Sequence, residues 1–162
     1  MAIPAYYQKN MARALPGQVS DTSAYNIDAA CVLETPDGLP IFVGVAVAHG
    51  GVDAMGNKII KPLSAGVAAY GVATRSHFQT TASDGRMVYE NAGGINVMTE
   101  GRVWMLADNS QTAVAYDTPI KVKQDGGAVD TANGEIETDW VATGDFTEFQ
   151  GLKLIEVKLF GA

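Results

Sequence analysis

A single cysteine in 162 residues rules out an internal disulfide. Cys31 lies in the apolar run 29–33, so it reads as a small buried hydrophobe rather than a reactive thiol. Histidine is also scarce. His49 and His77 each stand where a loop begins or ends, with no histidine partner within a few residues. A metal or catalytic centre built on histidine is therefore not expected. Charged residues make up 18% of the chain, against an average of roughly 25%. So low a charge fits a surface that largely faces neighbours. The net charge of −7 argues against non-specific binding to nucleic acid or to an anionic membrane. No stretch approaches the roughly 20 apolar residues needed to span a bilayer. The longest, 41–48, suits a buried strand. No apolar core run follows a basic N-terminal region, which predicts synthesis in a cytoplasm.

Reactive constellations are missing as well. No Gly-x-Ser-x-Gly elbow marks a hydroxyl nucleophile. Glu135 and Glu137 share one strand face and read as a solvated pair rather than glycosidase carboxylates. The run Asp53-Ala54-Met55-Gly56-Asn57 lacks the alternating ligands and terminal Glu of a calcium loop and reads as a turn. Gly50-Gly51, Gly93-Gly94 and Gly126-Gly127 precede neither Lys-Ser/Thr nor a helix, so they are turns or close backbone approaches, not phosphate loops. The thirteen aromatics are scattered, which leaves no stacking platform for single-stranded nucleic acid. Trp104 and Trp140 stand in strand-like contexts and read as core.

What the chain does have is glycine, with Ala, Val and Thr, in short alternating segments. Eighteen glycines and no helical stripe of twelve residues or more predict strands and turns. Residues 27–34 read as a strand, Thr35-Pro36-Asp37-Gly38 as a turn, and 40–48 as a second strand, the pair making a hairpin. Residues 49–63 read as a Gly-rich loop with one short strand at 58–61, and 66–74 as the next strand. Segments 95–100 and 102–107 read as two short strands around Gly101. Ile120 and Val122 should face inward and Lys121 and Lys123 outward. Asn133-Gly134 reads as a hairpin turn between 128–131 and 135–138, and 146–149 as a single helical turn. The final segment, 152–160, is apolar on both faces and should lie inside a sheet. One all-β domain is predicted over 27–162, a sandwich or barrel, preceded by an extended arm and linker over 1–26.

That arm is the most informative stretch. Residues 1–16 place Ile3, Tyr6, Tyr7, Met11 and Leu15 among Pro4, Lys9 and Arg13 with no period of 2 or 3.6. Such a segment cannot bury its own apolar surface. Its simplest use is to lie on another protein, where Tyr and Met supply contact area. The candidate contacts with a partner protein or a neighbouring subunit are therefore Ile3, Pro4, Tyr6, Tyr7, Lys9, Met11, Arg13 and Leu15.

Several stretches together resemble the head-decoration, or structural cement, proteins of tailed bacteriophages. They are MAIPAYYQKNMARALPGQVSD at the start, YENAGGINVMTEGRVWMLAD over 89–108, DTPIKVKQDGG over 117–127, and VATGDFTEFQGLKLIEVKLFG at the end. The resemblance covers nearly the whole chain and rests on Gly and apolar patterns. It implies a small β-barrel, β-tulip or jelly-roll-like fold with no catalytic residues, cofactor or metal. It also implies a virion component on the outer capsid surface, made in the host cytoplasm. Such a protein bridges neighbouring major capsid proteins and stabilises the expanded shell. The implied partners are the major capsid protein and other copies of the chain, with a trimer preferred to a dimer by analogy alone; neither nucleic acid nor membrane is among them. The other reading open from the sequence is a β-sandwich module that binds carbohydrate or a host surface.

Overall fold

The computed structural model describes residues 13–160. Among them there is no α-helix. The strands are β1 (Asn26–Leu33), β2 (Ile41–Phe42), β3 (Ala46–Val52), β4 (Lys58–Pro62), β5 (Gly71–Ala73), β6 (Thr80–Thr81), β7 (Met87–Tyr89), β8 (Gly94–Ala107), β9 (Pro119–Val122), β10 (Ile136–Phe149) and β11 (Leu152–Leu159).

The pairing closes a barrel. β1 runs parallel to β4, β4 pairs with β3, β3 with β5 and β5 with β8, and β8 returns to β1. Only the first half of β8 belongs to this ring. Its second half pairs with β11, then β10 and β9 extend the sheet outward. Val129 bridges both Val122 of β9 and Ala107 at the end of β8, so the outer edge curls back onto the same spine. A separate three-stranded sheet runs β2-β7-β6.

β8 is shared because its sequence is apolar on both faces. Val103 and Met105 enter one core with Ile120, Val122, Trp140, Ile155 and Val157. Ile95, Val97, Trp104 and Leu106 enter the other with Cys31, Leu33, Val47, Ile60 and Leu154. β11 lies between β8 and β10, as its two apolar faces predict. The fold is the expected all-β class, and the closed ring makes it a barrel.

Several local expectations are corrected. β1 and the segment 40–48 form no hairpin, because β1 pairs with β4 and β8. The apolar run 41–48 breaks at Gly44, whose φ of 88° turns the chain out of β2 before β3 begins. Residues 49–52 are not loop; they complete β3, which forms a hairpin with β4. The strand expected over 66–74 is confined to β5. Gly101 does not divide two strands, since β8 runs unbroken through it; it is where the ladder with β11 ends and the ring pairing begins. Residues 146–149 are strand, not helix, and pair with the start of β11. Asn133-Gly134 does turn the chain, but β10 pairs with β9 and β11 rather than with 128–131. These last errors share a cause: a local pattern names a strand without naming its partner.

Candidate functional site

The site begins where the arm joins the body. Residues 14–20, assigned above to arm and linker, are bonded into the domain. Ala14 is fully buried in the barrel-side core. Leu15 and Gln18 close a small turn, with the Leu15 N–H donating to Gln18 Oε1 (3.0 Å) and the Gln18 N–H to the Leu15 carbonyl (3.1 Å). The chain then runs antiparallel to the second half of β8. The Gly17 N–H donates to the Trp104 carbonyl (2.8 Å), the Trp104 N–H to that of Gln18 (2.9 Å), and the Ser20 N–H to that of Arg102 (2.9 Å). Val19 bridges Val103. On its other side, the Gly17 carbonyl accepts from the Arg75 N–H (2.9 Å).

This close approach requires glycine. A Cβ on Gly17 would lie 2.4 Å from Val43 Cγ1 and 2.9 Å from the Ala73 carbonyl oxygen, at a φ of +69°. Arg13 marks the exit. Its exposed guanidinium pairs with Asp145 and lies 6.0 Å from the centre of the Trp104 ring. Asp145 is offered by an irregularity in β10, where the register with β11 shifts between Ala142 and Phe146. The Trp104 ring itself is buried, as is that of Trp140, so neither presents a face to a sugar.

Of the predicted contact residues, the structure places Arg13 and Leu15 together at this root. Ile3, Pro4, Tyr6, Tyr7, Lys9 and Met11 lie outside the described residues. Leu15 and Pro16 form one wall of a groove of about 370 Å³, whose other walls include Phe42, Leu106, Phe149 and Leu152. Arg75 and Arg86 stand on it too. Arg86 lies 3.4 Å over the Phe42 ring, and burial pulls its guanidinium below the usual arginine range despite the charge of Asp84 nearby. Sequence reasoning missed both arginines. They come from separate connections around β5 and β7, and no motif links them.

Other polar clusters serve the fold. Lys58 Nζ donates to Asp28 Oδ2 at 2.7 Å, and the Tyr70 hydroxyl donates to the same oxygen. Burial pushes the Asp28 carboxyl up, but these two donors outweigh it and hold it below the usual range. His49 accepts from the Gly51 N–H at 3.1 Å and meets the Tyr70 ring edge-on. Burial raises the Cys31 thiol, which keeps it protonated. Among the described residues no group of three His, Cys, Asp or Glu side chains is placed to hold a metal.

Residues 3–159 match the protein family described as Structural cement protein (E217 gp24/Pam3 gp6). The chain belongs to the phage structural cement protein family. The match begins at residue 3, so it takes in the arm as well as the barrel. A chain from the structure titled "The capsid of Myoviridae Phage XM1" shares the fold, with a TM-score of 0.65 and 18% identity over 98% of both chains. No curated protein sequence matches. As a cement-family member the chain is a structural component of the phage capsid.

Proposed function

We propose that this protein decorates the outer surface of the head shell, bridges neighbouring major capsid proteins and stabilises the expanded capsid. It acts without catalysis, as a homo-oligomer, with a trimer preferred to a dimer, after synthesis in the host cytoplasm. The supporting observation is the root of the arm. Three backbone hydrogen bonds to β8 and a buried Ala14 tether the chain immediately after residues 1–12 to the body. A segment rich in Tyr and Met, attached to so firmly held a base, suits contact with a second protein. The contacts assigned to it are Ile3, Pro4, Tyr6, Tyr7, Lys9 and Met11, with Arg13 and Leu15 at its base. A single arm binds weakly, and an oligomer brings several to one surface at high effective concentration.

The test is sedimentation with expanded, undecorated heads, using immature shells as control. The full chain should bind expanded shells saturably and immature shells poorly. Deleting residues 1–12 should leave the melting temperature unchanged, because the root stays, and weaken shell binding about ten-fold or more. Equal binding by the truncated protein would remove the arm from the interface. No binding by the full chain would refute the decoration role itself.

A further inference from the structure

The groove at the arm root carries two arginines that form no ion pair among the described residues. Four arginines lie among the described residues. Arg13 pairs with Asp145 and Arg102 with Asp21. Arg75 and Arg86, both half-buried on the groove, belong to none of the ion pairs of the described residues. Asp84 on the groove rim lends Arg86 a nearby negative charge but no direct ion pair, and in a chain of net charge −7 two half-buried arginines without one stand out. A desolvated guanidinium gains most from a carboxylate that its planar fork can hold through two hydrogen bonds. Besides the two arginines, Asp84 and Gln150, the groove is mainly apolar, with Leu15, Phe42, Phe149 and Leu152 on its walls. Its volume of about 370 Å³ suits a short segment, not a domain.

Charge decides the occupant. The chain's own arm is a poor one, because residues 1–12 contain Lys9 and no Asp or Glu. Those twelve residues span at most about 40 Å when extended. Whatever the arm grips therefore lies within that distance of the groove. We propose that the groove receives an acidic, apolar segment of the major capsid protein, its carboxylate held by Arg75 and Arg86 and its apolar side chain seated between Phe42 and Leu152. This rests on the decoration role proposed above and adds a second contact to it, one that reads the shell's charge.

The experiment uses the full chain and expanded heads. A photo-crosslinking amino acid placed at Asp84, exposed on the groove rim, should link to the major capsid protein at a peptide with Asp or Glu beside an apolar residue. Arg75→Glu, and Arg75→Glu with Arg86→Glu, should each keep the oligomeric state and weaken shell binding ten-fold or more. The single variant guards against misfolding, since Arg86 also covers Phe42. Undiminished shell binding by a folded Arg75→Glu variant would overturn the groove proposal and leave the decoration role standing. Cross-links only to another copy, or a changed oligomeric state with shell binding intact, would assign the groove to self-association and also overturn it. Failure of the unaltered protein to bind shells at all would overturn both.

Discussion

Two glycines with nearly the same backbone angle separate strain from crowding at the arm root. Gly17 has a φ of +69° and Gly38 a φ of +71°. An alanine at either position incurs the left-handed penalty of about 1 kcal/mol. At Gly38 nothing lies within 4 Å of the added Cβ, so the penalty ends there. At Gly17 the Cβ would press on Val43 Cγ1, the Ala73 carbonyl at 2.9 Å and the Arg75 nitrogen at 3.1 Å. Two of these three neighbours are backbone and cannot swing aside. Overpacking of this kind costs about 1–3 kcal/mol more. For a domain of this size each kcal/mol lowers the melting temperature by about 2–4 °C. Gly17→Ala should therefore melt roughly 2–12 °C below Gly38→Ala, and roughly 4–16 °C below the unaltered protein. Relief of the clash would pull the N–H of residue 17 from the Trp104 carbonyl, so the amide of residue 17 should lose its protection against exchange in the same variant. Equal melting temperatures for the two alanine variants, with the amide of residue 17 still protected, would refute the account of the anchor.

Two further outcomes follow from buried polar groups. Tyr89 is fully buried, and its hydroxyl donates to the Thr74 carbonyl and bonds Ser76 Oγ at 2.6 Å. Tyr89→Phe leaves both partners short, so urea unfolding should show a loss of about 1–3 kcal/mol. Asp108 accepts from the Ser110 N–H (2.9 Å), the Ser110 hydroxyl (2.8 Å) and Lys123 Nζ (3.2 Å), and these donors lower its pKa to about 2. A depressed carboxyl stabilises the folded state only when ionised. Its contribution is complete above the unfolded value of about 4 and lost as pH falls through about 2. Unfolding free energies between those limits should fall less steeply for Asp108→Asn than for the unaltered protein, and identical slopes would count against the assignment.

Legibility in the sequence followed the side chains. β9, β11 and the second half of β8 could be read because their alternation reports which faces are buried: Ile120 and Val122 inward, Val103 and Met105 opposite Trp104 and Leu106. The parallel pairing of β1 with β4 could not be read, because pairing is a property of two distant segments. The break at Gly44 was hidden inside an apolar run whose composition spoke for one continuous strand. The arm root was missed for a different reason. Gln18 and Ser20 look like linker residues, yet their main-chain groups, not their side chains, hold them to β8. Backbone hydrogen bonding leaves almost no mark on composition; only the Pro16-Gly17 pair hinted at a turn.

For the decoration role proposed above, that hidden anchor would let a small domain hold a load on its arm. β8 belongs to both the closed ring and the outer sheet, and both cores pack against it. The bonds from Gly17, Gln18 and Ser20 reach its carbonyl and N–H groups at Arg102 and Trp104, just past the point where the two sheets diverge. A pull on Arg13 along the chain loads these bonds together rather than one at a time, because the segment lies antiparallel to the strand it grips. Ala14 adds an apolar plug that must leave the core before the segment can slide. An arm anchored at an edge strand such as β6 could peel away with its strand. An arm anchored on β8 comes free only if its own bonds shear or the shared spine of the fold unfolds.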